Sequence, residues 1–148
     1  MGKTIIVYAS VHHGNTRKAA QYIAQAIGAD TFDLLGGGAP ELSGYDCTIF
    51  ASGIYFNKFH QAVIDFISSA QLTGKRAVLL YTCGLHYRDY SSSAKSLLLR
   101  SGAEYAGCCW CRGYDTFGLL KHIGGLAKGR PNGRDLQKLL REVKRLLA

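Results

Sequence analysis

The stretch KTIIVYASVHHGNTRKAAQYIAQAIG, residues 3–28, sets an apolar run, a polar turn and a helical repeat in succession. The run at 3–9 is rich in β-branched and aromatic residues with no polar interruption, as in a strand buried on both faces. From there on, Thr16, Ala19, Ala20, Ile23, Ala26 and Ile27 recur at helical spacing, and Gly28 is placed to end the helix. A strand that enters a helix through a short polar loop is half of a parallel βαβ unit. The loop itself, Ser10 to Thr16, faces a helix start, where amide N–H groups lack intrahelical partners and the dipole is positive; this is an anion site. Gly14 permits close backbone approach or positive φ, and Ser10, Asn15 and Thr16 add side-chain donors. The spacing is neither G-x-x-x-x-G-K-[ST] nor G-x-G-x-x-G, so ATP and dinucleotide loops lose ground.

Outward from this unit, strand-like runs recur at 31–35, 47–53, 77–83 and 104–111, with helical patterns at about 60–71, 92–101 and from Arg134 onward. Five apolar strands alternating with amphipathic helices predict an α/β fold, a three-layer doubly wound sandwich around a parallel sheet, as a single domain over 1–148. The connection GGGAPELSGY, 36–45, is short for a crossover and is expected to hold only a helical turn near Pro40 to Ser43. Residues 112–133 form a glycine-rich segment too long for an ordinary strand-to-helix loop, which marks it as functional or interactive.

The chain carries a net charge of +8 in 148 residues, and residues 112–148 hold nine of the 18 Lys and Arg against three acids. No run approaches the roughly 20 apolar residues of a membrane span. The N-terminus lacks the pattern of a secretory signal, so a cytoplasmic protein is expected. Five cysteines, mostly within strand-like runs, read as reduced thiols. Cys108 and Cys111 have C-x-x-C spacing, but strand alternation points them to opposite faces, which opposes a dithiol or metal centre. His12 and His13, adjacent on a turn without Cys, Asp or Glu companions at ligand spacing, do not read as a metal site either. The last helix is expected to pack through its leucines and to expose Lys138, Arg141, Lys144 and Arg145. That face suits an acidic protein better than nucleic acid, because no aromatics interleave the cations.

In a doubly wound sheet, ligands bind at the carboxyl ends of the strands. Three loops meet there: SVHHGNT (10–16), SGIYFNKFH (52–60) and TCGLHYRDYSS (82–92). SVHHGNT after a first strand resembles the FMN phosphate loop of flavodoxins, near S/T-x-T-G-x-T, matched at Gly14-Asn15-Thr16. YDCTIFASGIYFNKFH resembles the third strand and first flavin-ring loop. CGLHYRDYSSS stands at the second ring loop, and CRGYDTFG with IGGLAKGRPN is similar to the tail of a short flavodoxin-like subfamily.

The resemblance implies strand order 2-1-3-4-5 and an FMN site made of Ser10, Val11, His12, His13, Gly14, Asn15 and Thr16 at the phosphate. To the ring it assigns Ser52, Gly53, Ile54, Tyr55, Phe56 and Asn57 from the first ring loop. From the second come Thr82, Cys83, Gly84, Leu85, His86 and Tyr87. Tyr55 and Tyr87 are the expected stacking partners, and His60 and His86 are open between loop polarity and a proton role. The function implied is electron transfer between redox partner proteins. A flavin-dependent oxidoreductase acting on a quinone or porphyrinogen stands as the alternative. Arg17, Lys18, Lys58 and Arg88, against Asp89, are expected to surround the flavin and to make its last reduction step less negative than in acidic relatives.

Overall fold

The computed structural model describes residues 2–11, 13–115 and 124–148. Strand β1 (Thr4–Ala9) is buried at every position and leads into helix α1 (Asn15–Ile27). Strand β2 (Asp30–Asp33), strand β3 (Cys47–Tyr55), a two-residue strand β4 (Lys58–Phe59) and helix α2 (Gln61–Ser69) follow. The chain continues through β5 (Arg76–Cys83), α3 (Ser92–Arg100), β6 (Glu104–Arg112) and α4 (Gly133–Leu147). The five long strands pair in parallel in the order β2-β1-β3-β5-β6, with β4 folded back on the end of β3. Counting β4 as an appendage, this is the expected 2-1-3-4-5 order.

Alternation along the strands fills two cores. Ile5, Val7 and Ala9 face the layer of α2 and α3 with Phe50, Leu79 and Leu98. Ile6 and Tyr8 face α1 and α4 with Ile49, Leu80, Leu139 and Val143. Cys109 and Cys111 lie in this second core, whereas Cys108 packs against the first. The expected separation of Cys108 from Cys111 is therefore present, and all five cysteines are free.

Two local expectations change. The helical turn lies at Leu34–Gly36, directly after β2, and not near Pro40 to Ser43, because the Asp33 carboxylate accepts from the Leu35 amide (3.0 Å) and starts the turn there. Leu42, 5% exposed, then seals the first core from an irregular crossover. The end of β3 runs two residues beyond the expected limit and turns back through Phe56 and Asn57, at φ 53° and 66°, into β4. Both central residues at positive φ define the tight hairpin that matches strand twist.

Candidate functional site

The loop after β1 brings Gly14 to the N-terminal end of α1 at φ 66°, a left-handed conformation that glycine adopts without Cβ strain. Ser10 accepts from the Arg17 amide (3.1 Å), so its hydroxyl closes the loop onto the first turn of α1. Thr16, 1% exposed, shares a hydrogen bond of 2.8 Å with Thr82 from the end of β5. The Asn15 amide donates to the Tyr114 carbonyl at 2.8 Å. His12 lies outside the described residues, and His13 turns its ring onto that of Tyr114, 4.3 Å between centroids.

Val11, Asn15 and Thr16 form one wall of a cleft of about 460 Å³ at the carboxyl ends of β1, β3 and β5. Gly53 through Asn57 form a second wall, and Thr82, Cys83, Gly84, Leu85 and Tyr87 a third. The Tyr55 hydroxyl accepts from the Val11 amide (3.1 Å) and so spans from the hairpin to the loop after β1. Tyr87 donates to the Asn57 side-chain carbonyl at 3.1 Å, which ties the loops after β3 and β5 together. Phe56, Leu85 and Tyr87 are exposed at the cleft mouth.

Ser52 and His86, both expected at the flavin, and His60, open between loop polarity and a proton role, are engaged elsewhere. Ser52, fully buried, is spent on backbone: its hydroxyl donates to the Gly53 carbonyl and accepts from the His60 amide. His60 uses Nδ1 to cap α2 through the Ala62 amide (2.9 Å). His86 is not among the described lining residues; it stacks on Trp110, 3.7 Å between ring centroids, with Nε2 2.6 Å from the Tyr81 hydroxyl. Cys83 lines the cleft, but burial pushes its thiol up to about 12, against the pull of Arg112, so it is a neutral thiol and not a nucleophile. Tyr55 is likewise raised, first by burial, and stays a phenol.

A fourth wall was hidden in the segment 112–133. Gly113 donates to the Cys83 carbonyl, and Tyr114 donates to the Arg130 carbonyl, both at 2.9 Å. Asp115 pairs with Leu126 through two backbone bonds. These bonds hold Tyr114 and Asp115 against the cleft. A Cβ on Gly84 would lie 2.4 Å from the Asp115 Cβ, so only glycine lets the two segments approach. Two of the four expected cations are engaged elsewhere: Arg17 is paired with Asp33 at 2.8 Å, and Lys18 donates to the Pro131 carbonyl at 2.7 Å, while Lys58 and Arg88 are exposed on β4 and on the loop after β5. The charged side chain that the described residues place on the lining is Asp115.

The cleft fits FMN in kind and in size. Its volume lies in the range of pockets for molecules of that size. One end offers backbone amides of a helix N-terminus with hydroxyl and amide side chains, as a phosphate requires, and the other offers tyrosines, as a flat heteroaromatic ring requires.

Residues 5–117 match the flavodoxin domain family. An uncharacterised protein of Methanocaldococcus jannaschii is 34% identical over 147 residues, which are 98% of each chain. Oxidised flavodoxin 2 from Bacillus cereus superposes with a TM-score of 0.71 at 18% identity, over 98% of this chain and 97% of that one. A Fusobacterium nucleatum flavodoxin mutant bound to flavin mononucleotide superposes with a TM-score of 0.68 at 16% identity, over 99% and 96%. With the family match over most of its length and a cleft that fits the group in kind and size, the chain belongs to the flavodoxin family and FMN is its cofactor.

Proposed function

We propose that the protein carries electrons between redox partner proteins in the cytoplasm, where its five thiols stay reduced. Bound FMN supplies the redox chemistry, taking up and releasing one or two electrons. The chain's part is to hold it: the α1 amides, Asn15 and Thr16 at the phosphate, Tyr55 and Tyr87 beside the ring. The observation that carries the reading is the lining of the cleft, with Asn15 and Thr16 at one end and Tyr55 and Tyr87 at the other. Among the described residues no histidine lines the cleft, because His60 caps α2 and His86 bonds Tyr81. The one thiol there is neutral. Hydroxyls and amides at one end of the described lining and tyrosines at the other suit holding a flavin for electron transfer.

The exposed Phe56, Leu85 and Tyr87 give a partner an apolar contact at the cleft mouth, and exposed Lys58 and Arg88 flank the same loops. We assign the partner as an acidic protein on that charge. The wall of Tyr114 and Asp115 supports a second reading, a small quinone or porphyrinogen turned over in the cleft. The two readings separate in one experiment. Protein reduced under anaerobic conditions should pass its electrons stoichiometrically to an acidic redox protein and show no saturable turnover of either small substrate. Saturation kinetics with a quinone or porphyrinogen would instead establish the enzyme.

A further inference from the structure

The loop after β5 packs an unbroken chain of aromatic rings. Tyr87 and Tyr90, both lining the cleft, have ring centroids 5.9 Å apart. Tyr90 lies 5.8 Å from both Tyr81 and His86, edge to face. Tyr81 sits across the β5–β6 pairing from Trp110, with rings 6.3 Å apart and 11° from parallel. His86 fills the remaining space, stacked on the indole within 3°. Tyr81 is 1% exposed and Trp110 38% exposed, so the chain runs from the cleft through the core to the surface at β6.

We propose that Tyr81 and His86 form a proton-coupled one-electron donor pair, at the centre of an aromatic relay that links the flavin cleft to the exposed indole of Trp110. A buried phenol yields an electron readily only when its proton leaves in the same event, because the phenol radical cation is a strong acid. Of the three tyrosines in the chain, Tyr87 bonds a side-chain amide carbonyl and Tyr90 bonds the Leu85 carbonyl (2.9 Å), both poor bases. Tyr81 alone faces an imidazole nitrogen, at 2.6 Å. The step balances within the pair. One electron leaves the Tyr81 ring for a one-electron oxidant, the O–H bond breaks, and its proton forms an N–H bond at His86 Nε2. Return of the electron reverses both changes. At the cleft end the oxidant is light-excited oxidised flavin; at the surface end it is an oxidising radical that strikes Trp110. The relay gives such an oxidising equivalent a defined resting place at Tyr81, which is 1% exposed and not among the described residues lining the cleft.

The cleft end rests on the FMN reading, whereas the Trp110 end does not, and the test treats them apart. In flavin-free protein, azidyl radicals from pulse radiolysis oxidise Trp110, the chain's single tryptophan. The tryptophanyl absorbance should convert to a tyrosyl absorbance at a rate independent of protein concentration. That conversion should slow at least tenfold in Tyr81→Phe and in His86→Phe, and deuterium oxide should slow it in the wild type but not in His86→Phe. An unchanged conversion rate in both variants would overturn the pair, since a merely structural role for these rings moves fold stability and not radical transfer. Flash excitation of the FMN-loaded protein then tests the cleft end. A tyrosyl signal lost in Tyr81→Phe supports it, and one that survives unaltered overturns it.

Discussion

Thr16 is tied into the fold and is also proposed to hold the cofactor phosphate. Its hydroxyl is bonded to that of Thr82, and both residues are buried. Thr16→Ala leaves the Thr82 hydroxyl without that partner and should cost the FMN-free protein about 1–2 kcal/mol in denaturant unfolding. The same change should weaken FMN by about 1–2 kcal/mol, through loss of a charge-assisted bond to the phosphate. Riboflavin, which has no phosphate, should lose less, and equal losses in titration of the two ligands would leave Thr16 a purely structural residue. Gly53 and Gly84 make a matched pair of the opposite kind. A Cβ on Gly53 meets the far end of Tyr55, 2.7 Å from its hydroxyl, and that flexible tip can swing aside. A Cβ on Gly84 meets the root of Asp115, which cannot move without the backbone of 113–115. Gly84→Ala should therefore lower stability by about 1–3 kcal/mol, as overpacking does. Gly53→Ala should cost little in stability but move Tyr55 off Val11, a change readable in the amide signals of the phosphate loop.

At the scale of elements, β1, α1, β3 and β5 were legible because each buries an apolar pattern of its own, whereas β2, DTFD, has no buried residue and is held by its pairing with β1. The hairpin β3–β4 was not, since Phe56-Asn57 is not the glycine-bearing pair that announces such a turn, and only pairing with β3 holds both residues at positive φ. The segment 112–133 drew notice for its length, but its action as a wall depends on backbone bonds to Cys83 and Arg130 that leave no mark in residue type. Its exit is pinned at α4 by a reciprocal cap: Asn132 accepts from the Asp135 amide, and Asp135 accepts from the Asn132 amide, both at 2.9 Å. Asn132→Ala should cost about 1 kcal/mol, measured by chemical denaturation. Arg130 also pairs with Asp135, and that bond, first, holds the carboxyl below its ordinary 3.8. A depressed folded pKa contributes stability above the unfolded value and loses it as pH falls through the folded one. Denaturation midpoints followed downward from neutral pH should thus fall more steeply below about pH 4 in the wild type than in Asp135→Asn, the two curves converging at the acid end.

Over the whole molecule, whose net charge is +8, two groups of exposed cations are candidates for docking. One is the outer face of α4, where Arg134, Lys138, Arg141, Lys144 and Arg145 are exposed; the other is the pair Lys58 and Arg88 beside the cleft loops. If partners dock at the cleft mouth, Lys58→Glu with Arg88→Glu should slow electron transfer to an acidic redox protein several-fold at low salt. The corresponding changes at Lys138 and Arg141 should matter less, and the difference should fade as the screening length shrinks below about 10 Å above 0.1 M salt. Stopped-flow rates against ionic strength decide it, and a larger effect at α4 would move the docking face there. By itself the sequence determined the layers, the strand order through its family resemblance, and the strand-loop-helix unit of β1 and α1, because periodicity and local turn chemistry act between near neighbours. Tertiary structure alone decided which loop residues line the cleft. Ser52, His60 and His86 are polar residues on the expected loops, but each is drawn away by a partner that folding supplies: a backbone amide, a helix end, and the stacked rings of Tyr81 and Trp110. Tyr114 and Asp115, about 100 residues beyond the phosphate loop, reach the cleft only because a parallel sheet brings the ends of its strands together.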